Sequence, residues 1–98
     1  MINISVNVFG GLAPLPIKVI IDNLDNDHDI KFSRNNSFSE NYNLPPGRYM
    51  IIISGMNPSG GKTEMHVHGD FSEGPLPAAE KTTEKTYYSQ LFYGIISN

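Results

Sequence analysis

The stretch Leu44-Pro45-Pro46-Gly47-Arg48-Tyr49, running into Met50-Ile51-Ile52-Ile53-Ser54, decides the fold class of this chain. Proline fixes φ and cannot donate to a ladder, while glycine reaches backbone conformations closed to other residues. Pro46 and Gly47 therefore predict a tight turn, of type II if Gly47 takes a positive φ. The run behind them is β-branched and apolar from Tyr49 to Ile53, which predicts a central strand covered on both faces. Tyr49 combines a ring suited to a core with a hydroxyl able to pin a neighbouring loop.

Outward from this junction the chain repeats the same grammar. Ile2, Ile4, Val6 and Val8 alternate with Asn3, Ser5 and Asn7, the period-two pattern of a half-buried strand. Gly10-Gly11 and Pro14-x-Pro16 break it, and a second strand over residues 17–22 turns Ile17, Val19 and Ile21 inward. Asp22 to Asp29 is turn chemistry, because Asn and Asp side chains bond their own backbone. Ile30 and Phe32 mark a short third strand, and Phe38 anchors a fourth before Tyr42. The proline run opens the fifth, over residues 48–55. Thr63 to Gly69 alternates again, with Met65 and Val67 opposite Glu64, His66 and His68. Residues 72–80, rich in Gly and Pro, read as a loop. Residues 86–97 are aromatic and β-branched, which predicts a strand, although a helix over residues 78–92 also fits Tyr88, Leu91 and Phe92. Seven short strands at regular spacing predict one antiparallel β-sandwich over residues 1–98.

Composition narrows the function classes. A chain of 98 residues supports one domain with a modest core. The absence of cysteine removes disulfides, thiolate nucleophiles and Cys-ligated metal sites. A net charge of -3 gives no electrostatic footprint for nucleic acid. No apolar run reaches the roughly 20 residues that cross a bilayer, so no membrane insertion is expected. Met1-Ile2-Asn3-Ile4-Ser5 lacks the basic start and apolar block of a signal peptide. The expectation is a cytoplasmic protein or a mature domain that has lost its leader.

Residues 4–55 resemble the carboxypeptidase regulatory-like domain, a relative of the collagen-adhesin B-type and prealbumin-like sandwiches. Two segments carry the resemblance: Ile4-Ser5-Val6-Asn7-Val8 with Gly10-Gly11-Leu12-Ala13-Pro14-Leu15-Pro16-Ile17-Lys18-Val19, and Phe38 followed by Asn43-Leu44-Pro45-Pro46-Gly47-Arg48-Tyr49. The family places a glycine before the aromatic, where this chain has Ser37. The resemblance implies a prealbumin-like or Ig-like sandwich acting as an accessory, spacer or adhesive module. It also implies an extracytoplasmic, cell-surface or periplasmic setting. The enzyme branch of this class, the hydroxyisourate hydrolases, uses histidines, an arginine and a C-terminal Tyr-Arg-Gly-Ser. This chain ends Tyr93-Gly94-Ile95-Ile96-Ser97-Asn98 and has no histidine near its first strand, so that catalytic set does not carry over.

Three surfaces remain as candidates for chemistry. His66, His68 and Asp70 are spaced i, i+2, i+4, which on a strand places two imidazoles and a carboxylate on one face, a donor set suited to zinc or another first-row metal. The same residues also read as a plain solvated face, which Glu64 extends. Asp25, Asp27 and Asp29 begin like a calcium loop, but an EF-hand would need glycine at Ile30 and glutamate at Asn36. An acidic, solvated turn is the expected reading of these residues. Tyr87, Tyr88, Phe92 and Tyr93 are the third: Tyr87, Leu91 and Tyr93 share one face of a strand, and Tyr88, Phe92 and Gly94 the other. Either both faces are buried, or one forms an aromatic contact patch on an edge strand.

Other motifs fail on spacing. Gly60-Gly61-Lys62-Thr63 would need a glycine at Met56 and a following helix to cradle phosphate. Serine nucleophiles find no elbow spacing, and Asn3-Ile4-Ser5 and Asn35-Asn36-Ser37 are short sequons that matter only in a secreted eukaryotic protein. The sequence thus predicts a non-enzymatic module without a cofactor, acting in protein–protein assembly or self-association through its C-terminal aromatic strand. The alternative is a small-ligand or carbohydrate-binding domain that uses the same rings beside the 72–80 loop.

Overall fold

The computed structural model describes residues 1–97. Nine strands are formed by the described residues: β1 (Ile2–Phe9), β2 (Ile17–Asn23), β3 (Ile30–Arg34), β4 (Phe38–Tyr42), β5 (Gly47–Met56), β6 (Lys62–Gly69), β7 (Glu73–Leu76), β8 (Glu80–Thr83) and β9 (Tyr87–Ile96). They make two antiparallel sheets, one of four strands in the order β4-β1-β6-β8 and one of five in the order β3-β2-β5-β9-β7. The expected antiparallel β-sandwich is what the chain forms. The count differs because the 72–80 segment is not a plain loop. It carries β7 and leads into β8, each adding a short edge to one sheet. The helix alternative over residues 78–92 is replaced by β8 and β9.

The inner faces are those that alternation indicates. Ile2, Ile4 and Val6 from β1, Met65 and Val67 from β6, Ile17, Val19 and Ile21 from β2, Ile51 and Ile53 from β5, and Phe92 from β9 fill the core. A one-residue slip would expose each set, so this burial also locks register. Only β2 and β3 are joined within one sheet, and every other connection carries the chain across the sandwich. That explains the density of Pro and Gly between strands.

Residues 44–47 are such a crossing, which corrects the tight turn expected there. The chain bends only at Pro46 and runs extended from β4 in one sheet to β5 in the other. A residue preceding proline is pushed to extended backbone, and here Leu44 and Pro45 both precede one. Gly47 has φ 159°, far from the value of about +80° that a type II turn requires. What glycine supplies is space, since a Cβ there would lie 3.3 Å from a carboxylate oxygen of Asp25 and 3.5 Å from the Tyr49 ring.

Tyr49 holds the corner. Its buried ring enters the core, and its hydroxyl donates to the Pro45 carbonyl at 2.6 Å and accepts from Asn23 Nδ2 at 3.3 Å. Such a bond to backbone a few residues upstream fixes a sandwich corner. Asn23, also buried, accepts from the Asp25 amide at 3.0 Å, and Asp25 in turn accepts from the Arg48 amide at 2.8 Å and from Arg48 Nε at 2.9 Å. The β2 end, the β2–β3 turn and the start of β5 are thus one network.

The two long sides of the sandwich are closed differently. On one, Phe32 of β3 meets Phe38 edge-on at 5.9 Å and stacks on Tyr42 at 5.3 Å, while Arg34 pairs with Glu40 and lies 4.6 Å from the Phe32 ring centre. Ser37 supports this seam, because its hydroxyl accepts from the Val8 amide at 2.9 Å. On the other side buried Asn57 donates to the carbonyls of Thr83 and Lys85 at 3.1 and 2.7 Å and accepts from the Thr63 hydroxyl. It pins the β8–β9 connection to the end of β5.

Replacing Tyr49 with Phe keeps the packing but orphans the Pro45 carbonyl, and costs about 1–2 kcal/mol in urea unfolding. Asn57→Ala leaves two carbonyls and a hydroxyl without their partner and costs about 3 kcal/mol. A Tyr49→Phe variant as stable as the parent would show that the corner bond carries no net energy.

Candidate functional sites on the two outer faces

Apart from Phe9 at the end of β1, the outward residues of the four-stranded sheet are polar. Asn3 and Ser5 of β1 lie in register with Asn41 and Ser39 of β4 on one side and with His68 and His66 of β6 on the other. His66 and Glu64 continue to Glu80 and Thr82 of β8. Hydrogen bonds tie the surface together: Asn3 Nδ2 donates to Asn41 Oδ1 at 2.9 Å and to Ser39 Oγ at 3.1 Å, and Ser5 Oγ donates to Asn3 Oδ1 at 2.8 Å.

The two histidines emerge where expected, on the face opposite buried Met65 and Val67. Asp70 does not join them. It lies beyond the end of β6, where its carboxylate takes the N-terminal amine of Met1 at 2.7 Å and its own amide donates to the Met1 carbonyl. Glu80 occupies the place assigned to Asp70, with Oε1 3.3 Å from His66 Nδ1. The signal for Glu80 was not in the local spacing, because it depends on the register of β8 against β6. Among the described residues, His66, His68 and Glu80 are the one set of three metal-ligating side chains whose donor atoms all lie within 4.8 Å of one another.

Asp25, Asp27 and Asp29 do not converge into a calcium site. Asp25 is held by Arg48, whose amide and guanidinium hydrogen bonds keep its carboxyl below the ordinary range. Asp29 instead pairs with Asp22, and that shared hydrogen bond, with the mutual repulsion of the two, raises the pKa of Asp22.

The middle of the outer face of the five-stranded sheet is apolar. Register places Ile20 of β2 beside Ile52 of β5, and Ile52 beside Leu91 of β9. The next row is Met50, Tyr93 and Leu76. β5 is therefore the middle strand, as expected, but no layer covers its outer side among the described residues. Met50 and Ile52 are shielded only by their neighbours in the sheet. The aromatic candidates divide by parity. Tyr88 and Phe92 point inward, Phe92 being 1% exposed, so neither offers a contact surface. Tyr87 is 67% exposed, Leu91 41% exposed, and Tyr93 half-buried on the outer side. On its side away from β5, β9 is paired by β7 only near Tyr93 and Ile95.

The ionisable groups with shifted pKa show no activated nucleophile. Burial and a hydrogen bond to Glu40 push Tyr42 up to about 12, and burial also raises Tyr49 and Tyr88. Tyr42 donates to Glu40 and Tyr49 to the Pro45 carbonyl, while the buried Tyr88 hydroxyl has no partner among the described residues. Arg34 keeps Glu40 below the ordinary carboxyl range.

Comparison with protein-family models, with curated proteins and with solved structures returns no match.

The carboxyl shifts set the acid response. Asp25 and Glu40 hold their protons less tightly when folded, so their contribution is present above the unfolded pKa values of 3.8 and 4.5 and is lost as pH falls through the lower folded values. Asp22 has the opposite sign, and opposes folding once pH exceeds 3.8. The urea midpoint of the parent therefore falls on acidification below about pH 4.5, and Asp25→Asn falls less steeply. Asp22→Asn raises the midpoint at neutral pH and not below about pH 3. Parallel curves for the parent and Asp25→Asn would contradict the assignment.

Proposed function

We propose that the protein is a non-enzymatic β-sandwich module for protein–protein assembly or adhesion, and that it docks through the outer face of its five-stranded sheet. The observation that carries this reading is the contrast between the faces. One sheet turns Asn, Ser, Thr, His and Glu to solvent, as a sandwich normally does. The other presents Ile20, Ile52, Leu91, Met50, Tyr93 and Leu76 as contiguous cross-strand neighbours. An uncovered apolar surface rimmed by polar residues, here Lys18, Asp22 and Lys31, is a common mark of an interaction site. The resemblance of residues 4–55 to carboxypeptidase regulatory-like and collagen-adhesin B-type domains points the same way, toward an accessory domain of a cell-surface or periplasmic system.

A second reading, a small-ligand or carbohydrate site, draws on Tyr87. Its exposed ring stands between a cleft of about 330 Å3 bordered by Lys81, Thr83, Lys85 and Gln90 and one of about 350 Å3 bordered by Leu15, Pro16 and Gly55. Tyrosine fluorescence that responds to glycans supports it, and a blank glycan array removes it.

Sedimentation equilibrium from about 10 µM to about 1 mM distinguishes assembly directly. The parent self-associates with concentration, and Ile52→Lys with Leu91→Lys returns it to a monomer with unchanged circular dichroism. A parent that stays strictly monomeric over this range contradicts self-assembly through this face.

A further inference from the structure

We infer that His66, His68 and Glu80 form a binding site for a divalent first-row transition metal of the zinc class on the polar face of the four-stranded sheet. Their donor atoms already lie within 4.8 Å of one another. Bonds of about 2.0–2.1 Å in a tetrahedral shell place donors about 3.3 Å apart, and His66 Nδ1 and Glu80 Oε1 stand at 3.3 Å. His68 and Glu80 are exposed, so small side-chain rotations close the remaining gap without moving backbone. The imidazole rings tilt by 32° with their centres 5.7 Å apart, both emerging from a strand flanked by β1 and β8.

The backbone beneath is held as a built site requires. Val67, between the two histidines, donates its amide to the Ala79 carbonyl at 2.9 Å, which fixes the residue before Glu80 beside them. On the other side the bonded Asn3–Ser5–Ser39–Asn41 surface adjoins both rings. Two imidazoles and one carboxylate suit zinc, nickel or copper and discriminate against calcium and magnesium, which favour all-oxygen shells. Three protein ligands leave a fourth position for water or for a group from a partner. Bound there, the metal cross-links the short edge strand β8 to β6, so its binding stabilises the sandwich.

Isothermal titration of the untagged protein with zinc chloride, and separately with nickel chloride, tests the site. One equivalent binds, and calcium and magnesium give no saturable heat. His66→Ala, His68→Ala and Glu80→Gln each weaken zinc by about tenfold or more, since losing even a residue that only supports a ligand costs about that much. Asp70→Asn binds as the parent does, because its carboxylate is spent on the N-terminus. Amide shifts centre on residues 64–68 and 79–82, and saturating zinc raises Tm by about 5 °C or more in the parent and not in Glu80→Gln. Since His68 and Glu80 are exposed, their variants keep the parent's circular dichroism. No saturable zinc binding, or binding that survives His68→Ala and Glu80→Gln, overturns the site. Loss of binding in Asp70→Asn with retention in Glu80→Gln overturns it in favour of ligands from one strand alone.

Discussion

The structure depends on one constraint more than any other, the hydroxyl of Tyr49 bonded to the Pro45 carbonyl while its ring lies in the core. The chain must leave one sheet and enter the other between Tyr42 and Gly47, and prolines leave this crossing with few backbone donors. Without a ladder to hold it, the crossing is held from the next strand. Asn23 bridges the same hydroxyl to the β2–β3 turn, and Asp25 bridges that turn to Arg48. A displaced corner would therefore shift the start of β5, and β5 pairs with both β2 and β9 across the middle of its sheet. Gly47 belongs to this constraint through its lack of a side chain, not through a turn conformation.

How much was legible in the sequence follows the range of the interaction. Alternation over residues 2–8 names its own inner face, because the period-two signal is complete within one strand. The run from Tyr49 to Ile53 is apolar at every position, so it signals a middle strand without saying whether its outer side is covered. Among the described residues it is not, since they form two layers and neither sheet spares a segment to pack there. Pro46-Gly47 carries the residues of a turn, but whether a proline–glycine step reverses the chain or lets it pass between sheets depends on where the next strand pairs. The 72–80 segment reads as a loop because Gly74, Pro75 and Pro77 interrupt any regular pattern. β7 tolerates Pro75 because it is an edge, paired irregularly with β9.

The metal-ligating cluster shows the same limit at the level of single residues. His66 and His68 share a face by strand geometry alone, and that part needed no structure. The third ligand did. Asp70 follows the spacing rule on paper, but β6 ends at Gly69 and the carboxylate is drawn to the N-terminal amine brought alongside by β1. Glu80 lies outside any local motif and arrives through the pairing of β8 with β6. The aromatic strand divides likewise: parity separates Tyr87 and Tyr93 from Tyr88 and Phe92, but only the neighbouring sheet decides which pair is buried.

The proposal of contact through faces rather than edges rests on how the four sheet edges are furnished. β3 carries Lys31 and Arg34, β4 carries Glu40, β8 carries Glu80 and Lys81, and β7 carries Pro75 with Pro77 just beyond it. Charges and prolines on edge strands oppose the addition of a further strand, because a pairing chain would have to bury them or do without a ladder donor. Open edges therefore offer a partner little, while the outer side of β2, β5 and β9 offers apolar area with its backbone already paired. A surface of that kind is matched by side-chain packing and not by shared strands. It therefore favours an occupant with a complementary apolar face, which a second copy of the same sheet supplies by symmetry.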